Sequence, residues 1–263
     1  MKTEGANEQY TMSDKKDNSI SMPDWISDYF VMTLNGKGPV TAYLDQYAME
    51  FIHYATQQTG PVLELGAAYG FLTIQTLKEG GTVIANDLDP RHLQILYNQT
   101  PATCRNRLTL LPGEFPGNVN LSPQSIAGCY VARMLGYLEP GELQKGLEKI
   151  FTWLQSEKKL FIISAIPYSF RAIFKNIVSI YEQRVNENIE WPGYFTNLKQ
   201  IVGGNYVNYG PNVHHFLDGK ILTRELERVG FIVETVEVFA RKDLPEWALG
   251  DGRDAVAVIA RKP

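Results

Sequence analysis

Up to residue 165, apolar residues recur at two spacings, and the pattern changes at Gly60-Pro61. Across residues 41–57, Tyr43, Leu44, Tyr47, Ala48, Phe51 and Ile52 recur every three to four positions, which predicts a helix. The segment Pro23-Asp24-Trp25-Ile26-Ser27-Asp28-Tyr29-Phe30 is amphipathic with proline near its start, and predicts a shorter one. Beyond Gly60-Pro61 short apolar runs alternate with helical patterns. Strands are predicted at residues 62–65, 82–86, 108–111, 125–132 and 159–165, and helices at 71–78, 90–98 and 140–155. Asp89 before Pro90 predicts a capped helix start. Such alternation predicts an α/β fold with a parallel sheet covered by helices on both faces.

The rhythm breaks over residues 167–213. A helical pattern from Phe170 to about Asn186 gives way to an aromatic and glycine-rich stretch, and the whole reads as a cap inserted over the sheet's ligand edge. Alternation then resumes with a helix at 217–229 closed by Gly230, a strand at 231–239 and a last strand at 255–260. The expected organisation is a polar tail over residues 1–22, a helical lid over 23–60, and one α/β domain over 61–263 containing the cap.

Composition removes several function classes. The net charge is -4 with no long basic run, so no nucleic-acid surface is expected. No apolar run approaches the roughly 20 residues that span a bilayer. The polar start lacks the apolar stretch of a secretory signal, so a cytoplasmic setting is the expectation. Cys104 and Cys129 make neither a disulfide framework nor a zinc pattern, and no metal site is expected.

The chemistry concentrates in Val62-Leu63-Glu64-Leu65-Gly66-Ala67-Ala68-Tyr69-Gly70-Phe71. A strand running through glycines into a helix places a tight turn, with free helix N–H groups, at the sheet's carboxyl edge, where open α/β sheets bind ligands. A dinucleotide site wants glycine at the first, third and sixth positions; here the third is Ala68 and the sixth Phe71. Glu64 is a carboxylate inside an apolar strand, costly to bury without a cationic or donating partner. That partner is either a ligand ammonium, or a loop or arginine of the chain itself. Asp87 follows the second strand about 20 residues later, the interval at which a carboxylate meets ribose hydroxyls; aspartate is also common in turns.

On these residues the sequence resembles the class I S-adenosylmethionine-dependent methyltransferases, closely over residues 62–165 and more loosely beyond. The resemblance implies a seven-stranded, mostly parallel Rossmann-like sheet whose last strand is antiparallel, residues 253–259 matching that strand. It implies S-adenosyl-L-methionine as cofactor, held by Glu64, Gly66, Ala67, Ala68, Tyr69, Gly70, Asp87 and Leu88. Gly113, Glu114 and Phe115 stand where the family meets adenine, Glu114 toward its amino group and Phe115 flanking the ring; the alternative is a surface turn. Ala132 and Arg133 fall where a loop passes the cofactor, and Arg133 has a structural salt bridge as its alternative. Ala68 stands where glycine is commoner, at some loss of backbone freedom.

The implied reaction is in-line methyl transfer to oxygen or nitrogen of a small organic acceptor. Tyr29, Tyr137, Tyr168, Trp191, Tyr194 and Tyr206 are the expected acceptor-binding residues, since aromatics with polar tips suit a largely apolar pocket; the alternative is that they pack the cap. His214 is the candidate general base, against a purely packed histidine. A macromolecular acceptor and a non-catalytic cofactor-binding scaffold are the other readings. Oligomeric state stays open, a homodimer included.

Overall fold

A computed structural model describes residues 20–169, 175–204 and 211–263. Most of the expected tail, the first residues of the long helical pattern from Phe170, and Tyr206 lie outside the described residues. The expected helix at 23–30 does not form. The chain there leads into a β-hairpin instead, β1 (Phe30–Met32) pairing antiparallel with β2 (Pro39–Thr41), and Trp25 bridges to Val31. A helix that short has little stability of its own. The hairpin, by contrast, buries Val31 completely among Tyr69 and Ile95. Residues 23–60, expected as a helical lid, therefore form a hairpin followed by one helix. Asp45 sets the start of α1 (Gln46–Thr56), Oδ1 accepting from the N–H groups of Tyr47 and Ala48, so Tyr43 and Leu44 stay outside it.

The strands that follow are β3 (Val62–Leu65), β4 (Val83–Asp87), β5 (Leu108–Pro112), β6 (Ile126–Ala132) and β7 (Leu154–Ser164). The helices between them are α2 (Phe71–Lys78), α3 (Pro90–Gln99) and α4 (Pro140–Trp153). The cap contributes α5 (Lys175–Asn186), β8 (Tyr194–Phe195), α6 (Leu198–Val202) and β9 (His214–His215). The chain closes with α7 (Gly219–Val229), β10 (Ile232–Phe239) and β11 (Ala255–Arg261). One seven-stranded sheet runs β10-β11-β7-β6-β3-β4-β5. Neighbours from β7 to β5 are parallel, while β11 is antiparallel to both β7 and β10. The last strand is antiparallel, as the resemblance implied.

Alternation along the strands divides the core into two layers. Leu160 and Ile162 of β7, with Val256 and Val258 of β11, face α4 and α7. Phe161 and Ile163, with Ala257 and Ile259, face α1 and α2. β7 begins at Leu154, five residues earlier than its apolar run, because Leu154 already pairs with Ile126. β8 and β9 pair across the cap, whose own core is Ile177, Phe195, Leu198 and Phe216. β3 lies between β4 and β6, so chain order reverses beside it, and open α/β sheets receive ligands outside the carboxyl ends of their strands at such a point. Among the described residues no helix is long and apolar enough to cross a membrane.

Candidate functional site

The turn after β3 is built on left-handed backbone. Gly66 and Gly70 have φ of 73° and 77°, and Ala68 accepts φ 45° between them. Glycine is required twice over at Gly70, where a Cβ would sit 2.3 Å from Leu96 Cγ. Gly70→Ala is expected to cost about 2–4 kcal/mol of stability, from backbone strain plus overpacking. A urea-unfolding midpoint equal to wild type would contradict this close approach. At Gly66 the crowding side chain is Met134, 3.0 Å from a built Cβ, so the loop after β6 lies directly on the turn.

Glu64 points to the α1/α2 side of β3 and accepts the hydroxyl of Thr73 in the first turn of α2. No described arginine or lysine pairs with it. Burial pushes its carboxyl up to about 7, against the opposing pull of the Thr73 hydrogen bond. The residue is thus a deeply buried acid with no counter-cation among the described residues.

Asp87 ends β4 and holds the turn together. Its Oδ2 accepts from the Ala68 N–H at 2.9 Å; Oδ1 accepts from the Asp89 N–H at 2.9 Å and from His92 Nδ1 at 3.0 Å. An ionised carboxylate has about four acceptor positions, so about one remains open, on Oδ2. The geometry therefore offers a ribose one unshared position, and a second hydroxyl only by sharing an oxygen. His92 was not singled out in the sequence; its one signal is its place five residues beyond Asp87, in the first turn of α3. Beyond Asp87, Leu88 is 48% exposed and Glu114 is exposed, so both are accessible from the sheet edge. Gly113 adopts φ 151° and closes the edge, its N–H donating to Asp87 O and its carbonyl accepting from Asn86.

A second polar region adjoins the first across Arg133. This residue follows β6 in the left-handed region, φ 57°, with its N–H bonded to Ile163 O at 2.7 Å. Its Nη2 lies 3.4 Å from Asp45 Oδ2, and its buried Nε has no partner among the described residues. The structural ion pair named as the alternative for Arg133 forms, and its guanidinium keeps donor capacity. Asp45 also lines a cavity of about 240 Å³ with Tyr43, Gln46, Phe239, Arg241, Lys242 and Asp243. Arg241 and Asp243 form a buried two-bond pair, at 3.0 and 2.6 Å, and the Arg241 guanidinium lies over the Phe30 ring of the hairpin. Asp45, Arg241 and Asp243 carry no local signal, because the pair lies in the β10–β11 loop and meets Asp45 only in three dimensions.

Solved structures of similar shape identify the fold. An S-adenosylmethionine-dependent methyltransferase from Mesorhizobium loti is similar over 84% of this chain and 100% of its own, at 18% identity and a TM-score of 0.60. A second, from Methanosarcina mazei, is similar over 81% and 96%, at 14% identity and 0.59. This chain has the class I S-adenosylmethionine-dependent methyltransferase fold. The glycopeptide N-methyltransferase MtfA, solved with S-adenosyl-L-methionine, is similar over 82% of this chain and 86% of its own, at 19% identity and 0.54. No protein-family model and no curated protein matches the sequence.

Within the methyltransferase fold, several side chains sit elsewhere than expected. Phe115 turns into the core, its ring against Gly146 of α4 and 6.1 Å from Trp153, so it does not flank the open edge. Its apolar ring gains more from that contact than from a solvent-facing turn. Tyr69 is fully buried under the hairpin, its hydroxyl bonded to Met32 O. The aromatic candidates divide into three groups. Tyr29 packs edge-on against Tyr43 at the cavity, and Tyr137 reaches the hairpin at Lys37 O. Trp191 and Tyr194 pack around His215, and Tyr168 lies under Arg253 against Tyr181. Trp191 and Tyr194 lie near Tyr137 by way of the His214–His215 strand, whereas Tyr168 packs against Tyr181. His214 is half-buried between Tyr137 and Phe216. Burial pushes both His214 and His215 down to about 4, so both are neutral at physiological pH.

Proposed function

We propose that this protein is an S-adenosylmethionine-dependent methyltransferase acting on oxygen or nitrogen of a small organic molecule. The observation that carries the reading is the pair of buried carboxylates beside one glycine turn: Glu64 has no cationic partner among the described residues, and Asp87 keeps an acceptor position open. Those vacancies fit an ammonium and a ribose. In this reading Glu64 holds the amino end of the cofactor, Asp87 its ribose, and Leu88 lies along the adenine with Glu114 near its amino group. The cofactor supplies a methyl group on a good leaving group. What the chain supplies is alignment and exclusion of water.

The acceptor enters the cavity beside Arg133. Its volume of about 240 Å³ is below the usual range for drug-sized ligands, which favours a small molecule or a small terminal group. His214 packs against Tyr137 and Phe216 and does not line this cavity, so methyl transfer to an acceptor bound there does not draw on it as a base.

The test is transfer of labelled methyl from S-adenosylmethionine to a panel of small metabolites. Gln46 is an exposed cavity-lining residue, so Gln46→Trp is expected to fill the cavity without disturbing the cofactor side. Transfer should fall about tenfold or more while S-adenosylhomocysteine affinity stays within about twofold. A folded wild type that binds the cofactor yet labels nothing would contradict the enzyme reading and favour a binding scaffold. Unimpaired transfer in the variant would place the acceptor elsewhere.

A further inference from the structure

Four side chains from three segments at the cofactor edge reach out and bond the backbone of the N-terminal hairpin. Tyr69, from the glycine turn, donates to Met32 O at 2.7 Å. Arg91 Nη2, at the start of α3, donates to Leu34 O at 3.1 Å. Tyr137, in the loop after β6, donates to Lys37 O. The fourth, His92, is different because it faces both ways. The Leu34 N–H donates to its Nε2 at 3.0 Å, while its Nδ1 lies 3.0 Å from Asp87 Oδ1.

This geometry fixes the ring's protonation. A backbone N–H can only donate, so Nε2 is the unprotonated nitrogen and the hydrogen is on Nδ1, donated to Asp87. The ring is 1% exposed and packs edge-on to Tyr69, so it cannot swing to another partner without opening the hairpin. His92 thus joins the tip of the hairpin to the carboxylate that the proposed function assigns to ribose.

We infer that His92 is a positioning residue that couples docking of the hairpin to occupancy of the Asp87 site. The inference rests on the cofactor reading given above. A ribose hydroxyl drawn to Asp87 adds a donor to the oxygens that hold His92 and Ala68, and so favours the carboxylate orientation in which the imidazole also holds Leu34. Ligand binding and hairpin docking then stabilise one another, as linkage requires. Sequence in the hairpin matters little for this, since all four bonds go to main-chain atoms.

The experiment is amide hydrogen exchange of the wild type with and without S-adenosylhomocysteine, alongside calorimetric titration. Saturating ligand is expected to slow exchange of the Leu34 amide by about tenfold, the effect of roughly one added hydrogen bond. His92→Asn keeps an N–H donor for Asp87 but is too short to hold Leu34. In this variant the Leu34 amide should exchange quickly with or without ligand, and the affinity should fall about tenfold. Tyr69→Phe removes one hairpin bond at nearly constant volume and should give a smaller shift in the same direction. Binding by the wild type with hairpin exchange unchanged would overturn the coupling and leave the cofactor assignment standing. Ligand-dependent protection that persists in His92→Asn would overturn the role of His92. No binding by the folded wild type would overturn both the coupling and the cofactor assignment.

Discussion

Asp87→Ala is expected to weaken S-adenosylhomocysteine binding about a hundredfold or more. A hydrogen bond to a carboxylate contributes about 1.5–3 kcal/mol, and the substitution also releases the donors that shape the pocket. The N–H groups of Ala68 and Asp89 and the His92 ring would lose their shared acceptor. Some loss of stability accompanies the change, since buried donors left without partners each cost about 1–3 kcal/mol. Asp87→Asn separates the two effects. It preserves volume and one acceptor oxygen, so thermal stability should return in part while affinity remains weakened. Calorimetry and thermal unfolding on the same samples check this; full affinity in either variant would remove Asp87 from the site.

Glu64→Gln is expected to move stability and affinity in opposite directions. Burial raises the Glu64 carboxyl from its ordinary 4.5 to about 7, so the folded chain keeps a proton that the unfolded chain releases. Stability of the ligand-free protein therefore falls as pH rises from about 4.5 to about 7 and then levels off. The full loss is about 3 kcal/mol. Glutamine does not titrate, so the variant should show no such fall and should be about 1–3 kcal/mol more stable than wild type at pH 8. Cofactor affinity should drop about 10–100-fold, because a neutral amide replaces the carboxylate that meets an ammonium. Wild-type affinity should itself rise with pH up to about 7 as Glu64 ionises. Denaturant unfolding across pH, with titrations at matched pH, decides the matter. A less stable variant with unchanged affinity would make Glu64 a structural partner of Thr73 alone.

The sheet was legible because its strands are continuous apolar runs separated by amphipathic helices, and both periods survive in one sequence. Asp89 before Pro90 and Gly230 after Val229 marked helix ends that the structure reproduces within a residue or two. The two acids beside the glycine turn were legible too, since the constraint is local: a carboxylate in or just after a strand, at a fixed interval from that turn. Failures arose where tertiary contacts decide. Residues 23–30 have helical amphipathicity, yet Val31 finds its burial by strand pairing against Tyr69 and Ile95. Phe115 follows a motif position but packs on Gly146, a contact between residues 31 positions apart. The Asp45, Arg133, Arg241 and Asp243 cluster comes from three separate segments, and no single window of sequence contains it. His92 escaped notice because its partners are Asp87 and a main-chain N–H of the hairpin, and only the first is near in sequence.

Titrating S-adenosylhomocysteine into the folded wild-type protein, with NAD as a parallel ligand, is the most direct measurement. The two carboxylates and the bend between them predict saturable single-site heat with the first compound and none with the second. Heat from NAD alone, or from neither while unfolding remains cooperative, would contradict the assignment of this edge to an adenosyl amino acid.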